Sequence, residues 1–145
     1  MARQYWLLKS EPGAYSYDDL VRIGVDHWDG VRNYQARNNL RAMHAGDLAL
    51  FYHSVDAKEV VGIARVVCEA YQDPTTADER WSAVDVEAVR AFEKPVGLDQ
   101  IKGDSELADV ALIRQSRLSV VPLSKAEFQR ILVLGRTRLP RSRKG

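Results

Sequence analysis

The 145-residue sequence predicts one α+β domain, a small curled sheet or barrel flanked by short helices. Three observations carry this. Valine-rich runs with strand-like alternation fill the middle of the chain. Two Ser-x-x-acid boxes mark helix starts near its ends. No regular strand–helix alternation points to a parallel α/β sheet.

Tyr5-Trp6-Leu7-Leu8 reads as a buried strand, closed by the Pro12-Gly13 punctuation. Ser16 with Asp19 opens a short helix whose apolar side is Leu20, Val21 and Ile23, and Gly24 is a plausible left-handed stop. Val25 to Gly30 reads as loop. Asn33 to Met43 reads as a weakly amphipathic helix with Tyr34, Leu40 and Met43 as its sparse apolar positions. Leu48–His53 and Glu59–Cys68 form a hairpin across the loop 54–58. A third strand is expected from Trp81 to Phe92, after a turn at Asp73-Pro74, with Asp85 and Glu87 facing out between valines. Leu98–Ile101 forms one helical turn, Ser116–Val121 a last strand, and Ser124 with Glu127 caps a final helix through Leu134. Residues 1–135 are read as the domain and 136–145 as a basic, flexible tail.

Net charge is +1, unevenly spread. The last ten residues hold five cations and no acid, leaving the body with 16 basic and 20 acidic residues. Such a tail is either a nucleic-acid arm or a solvated end. One cysteine, Cys68, excludes an internal disulfide and a multi-cysteine zinc site; in its apolar strand it reads as a small buried hydrophobe. The apolar run Tyr5–Leu8 stops at Lys9, short of the ~7–15 residues of a secretory signal. A cytoplasmic protein with no membrane span is expected. Phosphate-loop, dinucleotide, zinc-protease and nucleophile-elbow motifs are absent. His27, His44 and His53 lie 17 and 9 residues apart and read as independent side chains. No metal and no cofactor are expected.

What remains is polar and aromatic chemistry near strand ends. Lys9-Ser10-Glu11 follows the first strand. Trp28 precedes a run holding Arg32, Asn33, Tyr34, Gln35, Arg37 and Asn38, and Tyr52-His53-Ser54 ends another strand. An indole or phenol ring offers a face on which a base stacks, amides and hydroxyls read base edges, and arginine holds phosphate. The plainer alternatives are Trp28 as a core plug and the amides as a solvated helix face with Asn33 as its cap.

Read together, YWLLKSEP (5–12), YSYDDL (15–20), WDGVRNYQARNNLRAM (28–43), GDLALFYHS (46–54), VVGIARVVCEAYQDPT (60–75) and RLSVVPLS (117–124) resemble the EVE-domain family of the PUA-like superfamily. The resemblance implies a PUA-like mixed β-barrel flanked by short helices, and a kinship with YTH domains, which hold a methylated adenine in an aromatic cage. Lys9-Ser10, Trp28 and Ser54 occupy places that match the YTH pattern. The second cage tryptophan of YTH readers has no counterpart near Val55, so a flat slot beside Trp28 is implied rather than a full cage.

The resulting expectation is a non-catalytic module, monomeric, that captures a modified base of DNA or RNA. Lys9, Ser10, Trp28, Asn33 and Ser54 form its slot, with Arg32, Arg37 and Arg65 on the backbone and Tyr34, Gln35, Asn38, Tyr52 and His53 as secondary candidates. A binder of a small anionic metabolite or nucleotide in the same cleft is the alternative. An enzyme acting on nucleic acid ranks third, because no nucleophile or acid–base pair is visible.

Overall fold

A computed structural model describes residues 3–55 and 57–139. The remainder of the predicted tail, 140–145, lies outside the described residues. Six strands form one mixed sheet: β1 (Tyr5–Ser10), β2 (Val25–Trp28), β3 (Leu48–His53), β4 (Glu59–Gln72), β5 (Ser82–Gly97) and β6 (Val120–Leu123), in the order β2-β5-β4-β3-β1-β6. Only β1 and β3 run parallel; the other pairs are antiparallel. Helices α1 (Tyr17–Ile23), α2 (Tyr34–Ala42), α3 (Leu98–Lys102), α4 (Ala111–Arg114) and α5 (Lys125–Leu134) pack around it.

The local causes are direct. The unbroken apolar run Trp6–Leu8 suits a strand covered on both faces, and β1 lies between β3 and β6 with all three residues buried. Both predicted capping boxes are formed: Ser16 with Asp19 at α1, and Ser124 with Glu127 at α5. β4 and β5 pair along most of their lengths, but their register shifts four times. Each bulge adds twist and bends the strand, so the pair curls the sheet. As a result the edge strands β2 and β6, farthest apart in the ladder, lie on opposite sides of one gap. Helix α2 reaches across from β6 to β5, just past the residues that pair with β2: Asn39 Nδ2 donates to the Val120 carbonyl at 2.8 Å, and Arg41 Nε donates to Ser82 Oγ at 2.9 Å.

Five expectations need correction. Val21 and Ile23, expected on the apolar side of α1, are exposed, and the buried residues of that helix are Tyr17 and Leu20. Val25–Trp28 is a strand, not a loop, pairing with β5 from Val25↔Glu87 to Trp28↔Val84. Its alternation is real, with Val25 and His27 exposed and Trp28 buried, but four residues are too few to show as a pattern. Cys68 is exposed, because bulges around it carry the end of β4 off the core. Tyr34 is 52% exposed and does not belong to the buried side of α2, which is Ala36 and Leu40. The last strand begins at Val120 rather than Ser116. Beyond α5 the chain stays attached as far as it is described. Thr137 Oγ1 accepts from Glu93 N at 2.9 Å, and Arg90 Nη1 donates to the Arg138 carbonyl at 2.9 Å.

Candidate binding site

A pocket of about 440 Å³ opens in the gap between the sheet edges. One side is the end of β1 (Lys9, Ser10) with Glu11 and Ser119; the other is β2 from Asp26 and the loop through Arg32, with Tyr15 beside it. Trp28 forms the wall. It is only 8% exposed, and its ring meets Phe51 edge-on at 5.4 Å and Tyr15 edge-on at 6.2 Å. Those two contacts fix the indole plane, so Trp28 is both a core residue and a pocket surface.

The polar groups of the β1 side are largely engaged in holding shape. Ser10 Oγ donates to the Tyr15 carbonyl at 2.5 Å, and the Ser10 carbonyl accepts from Ser54 N at 2.8 Å. Lys9 Nζ donates to the Ser116 carbonyl at 2.8 Å, and burial lowers its pKa from the ordinary lysine value. Tyr15 Oη donates to Asp26 Oδ2 at 2.8 Å. Burial first, then the Asp26 carboxylate, raise the phenol well above its usual pKa, so it stays a donor.

The loop 29–32 is built on a buried acid from another strand end. Asp73, just past β4, is fully buried and accepts from Gly30 N (2.8 Å), Arg32 Nη1 (3.0 Å), Thr75 N (2.7 Å) and Thr75 Oγ1 (2.5 Å). Burial alone works against its charge. The donors from Thr75, Arg32 and Gly30 outweigh that and hold the carboxyl far below the usual range. Gly30, at φ 77°, takes the left-handed turn that brings its N–H onto this carboxylate.

Of the predicted slot, the structure brings together Lys9, Ser10 and Trp28, and it adds Arg32, expected on the nucleic-acid backbone, to the same pocket. Ser54 reaches this site only through its backbone contact with Ser10. Asn33 caps α2, its Oδ1 accepting from Ala36 N at 2.9 Å, and lines a separate shallow depression with Gln35, which bonds Gln115 at 2.7 Å. Arg65 pairs with Glu87 across β4 and β5, away from the pocket. Tyr52 is buried at 3% exposure. Tyr34, Arg37 and Asn38 belong to a second feature beside the loop. Tyr34 stacks on Trp81 at 5.2 Å; Arg37 lies 5.1 Å over Tyr34, and Arg32 and Arg80 lie 5.5 and 5.8 Å over Trp81. Arg37 bonds Asn38 Oδ1 and the Arg80 carbonyl, and Arg41 bonds Ser82 and the Glu79 carbonyl. Neither guanidinium meets a carboxylate among the described residues. The sequence reading missed Tyr15, Asp26, Asp29 and Asp73. Tyr15, Asp29 and Asp73 stand in segments that carry the family resemblance, YSYDDL, WDG and QDPT, but their roles depend on which strand ends meet.

His53 is structural. Its Nε2 accepts from Tyr17 N at 3.1 Å, which requires the neutral ring. Burial lowers its pKa, with Glu59 and Asp18 pulling the other way. A depressed histidine contributes stability that is present above the unfolded value, about 6.5, and is lost as pH falls toward the folded value. The melting-temperature advantage of wild type over His53→Gln is expected to shrink between pH 7.5 and 5. A constant difference across that range would refute the assignment.

A curled mixed sheet with helices on its flanks and a pocket in its edge gap is a PUA-like domain. The EVE-domain family model matches residues 4–134, and the chain belongs to the EVE-domain family. It is 38% identical to thymocyte nuclear protein 1 of Gallus gallus, over 90% of this chain and 68% of that one. A solved protein of Agrobacterium tumefaciens superposes with a TM-score of 0.90 at 38% identity, covering 95% of this chain and 99% of the other. Human THYN1, solved in complex with DNA containing 5-methylcytosine, superposes with a TM-score of 0.85 at 34% identity, covering 93% and 99%.

Proposed function

We propose that this protein is a non-catalytic module that captures a modified base of DNA in the pocket beside Trp28. The observation that carries the reading is an indole, fixed in plane by Phe51 and Tyr15, walling a pocket of about 440 Å³ that opens at a sheet gap. An extruded base stacks on such a wall, gaining about 1–3 kcal/mol, which offsets much of the few kcal/mol needed to unstack it. The complex of human THYN1 with 5-methylcytosine DNA supports the same class of ligand.

The lining also favours a base over a small anion. Glu11, Asp26 and Asp29 oppose Lys9 and Arg32, and both cations already bond protein oxygens. A phosphate or carboxylate placed there meets three acids. Phosphates fit instead on the adjoining face beside the Tyr34–Trp81 stack, where Arg37 and Arg41 bond only neutral oxygens among the described residues while Arg80 is paired with Asp78; such contacts position a strand without reading it.

The test is a titration of single- and double-stranded oligonucleotides carrying 5-methylcytosine, against cytosine controls and RNA counterparts. One methyl in an apolar slot is worth ~1–3 kcal/mol, so a preference of roughly 5- to 150-fold is expected. Equal affinity for modified and unmodified strands overturns the reading, and tighter binding of free nucleotides than of any strand favours the small-ligand alternative.

A further inference from the structure

Three carboxylates line the pocket, and they differ in what they have to bond. Asp26 accepts the Tyr15 hydroxyl and the His27 N–H. Glu11 is exposed to water. Asp29 is partly buried, and no donor among the described residues meets its carboxylate. Its backbone is pinned on both sides. Trp28 sits in the ladder opposite Val84, and the Gly30 N–H is held by Asp73. The stacking wall and a free acceptor are therefore consecutive residues in a fixed loop.

The Asp29 carboxylate is only partly shielded from water, and with no protein donor on it its acceptor capacity is open to a ligand in the pocket. Around Asp29 stand two other acids, Asp73 and Asp26, against His27 and Arg32. Burial and the Asp73 charge raise its pKa above the usual carboxylate value, in keeping with this unmet demand. The donor missing from the protein is one that a nucleobase supplies. Cytosine presents an exocyclic N4–H₂ donor where thymine presents an O4 acceptor, and carboxylates are the side chains that accept from N4.

We propose that Asp29 is the specificity-determining residue of the pocket, accepting the exocyclic amino N–H of the captured base, so that the site takes a cytosine-type base and rejects its 4-oxo counterpart. The assignment rests on base capture beside Trp28 and adds to it the edge that is read. With thymine in the slot, O4 faces the carboxylate, and two acceptors confront each other with no proton between them.

Thymine is 5-methyluracil, so it carries the same methyl group as 5-methylcytosine and differs at the edge Asp29 is assigned to read. Three single-stranded oligonucleotides, identical except for a central 5-methylcytosine, thymine or cytosine, are titrated by fluorescence anisotropy against wild type and Asp29→Asn, with melting curves for both proteins. Wild type is expected to favour 5-methylcytosine over thymine by about 5- to 150-fold, the range of one good base-edge contact. Asp29→Asn is expected to bring that ratio near one, because a rotatable amide serves either edge, with little change in melting. Equal wild-type affinity for 5-methylcytosine and thymine overturns the proposal, as does a full preference retained in Asp29→Asn. If the variant fails to fold, the wild-type ratio still decides. The comparison of 5-methylcytosine with cytosine reports separately on the modified-base reading. That preference without any amino preference leaves base capture standing and removes Asp29. An amino preference without it, abolished in Asp29→Asn, leaves base capture and Asp29 standing and removes the preference for the modification. No binding to any of the three overturns both.

Discussion

Trp28→Ala is expected to lower folding stability by roughly 3–5 kcal/mol, the range for deleting a buried large aromatic. The indole is 8% exposed and braces Phe51 and Tyr15, so its loss leaves a void under the pocket as well as a missing wall. In the protein that still folds, affinity for the preferred oligonucleotide is expected to fall by about 1–3 kcal/mol, roughly 5- to 150-fold, the range for one stacked base. Trp28→Phe is expected to recover part of both, since it keeps an apolar ring against Phe51 and a π-face toward the ligand. Denaturant unfolding beside anisotropy at low temperature separates the two effects. A variant that melts like wild type contradicts the core role. A folded variant with wild-type affinity places the base elsewhere.

Asp73→Ala is expected to be nearly as damaging, at about 3 kcal/mol, although Asp73 does not line the pocket. Four donors lose their acceptor at once, two of them backbone N–H groups in the loops 29–32 and 73–75. Arg32→Ala is expected to cost less, because the guanidinium is 41% exposed and water replaces part of its pairing. The pH sign follows from the depressed carboxyl. Its stabilisation is complete above the unfolded value near ~3.9 and is lost as pH falls through the folded value, so the difference between wild type and Asp73→Asn persists at neutral pH and closes only in strong acid. Urea melts at pH 7 and pH 3 measure it. Equal stability of Asp73→Ala and wild type at pH 7 would show that the loop does not depend on this acid.

Local chemistry was the legible part of the sequence. The Ser16 and Ser124 boxes are written within four residues each, and they form as read. The valine alternation opposite Asp85 and Glu87 also gave the central strands. Less legible were features decided by tertiary pairing. Val25–Trp28 becomes a strand only because β5 offers an edge, and Cys68 is exposed only because the β4–β5 register slips beside it. The site divides the same way. Lys9, Ser10, Trp28 and Arg32 stood in two short segments and meet in one pocket, whereas Asp73 lies 41 residues from Arg32 and announces itself by no motif. Asn33 shows the converse: an amide in the right segment is aimed at its own helix, because an uncapped α2 would leave N–H groups without acceptors.

The two margins of the sheet are joined by side chains instead of a backbone ladder. Asn39 and Arg41, both on α2, reach Val120 on β6 and Ser82 in the short stretch of β5 that extends past its pairing with β2. A ladder would fix the spacing of the strands at roughly 4.8 Å, with nothing adjustable. Two side-chain tethers from one helix behave more like a hinge plate across a seam. A small tilt of α2 widens or narrows the opening without breaking any strand pairing. The mouth of the pocket is therefore the most compliant dimension of an otherwise stiff curled sheet, and amide exchange should find β2 and β6 opening at lower free energy than β3 and β4.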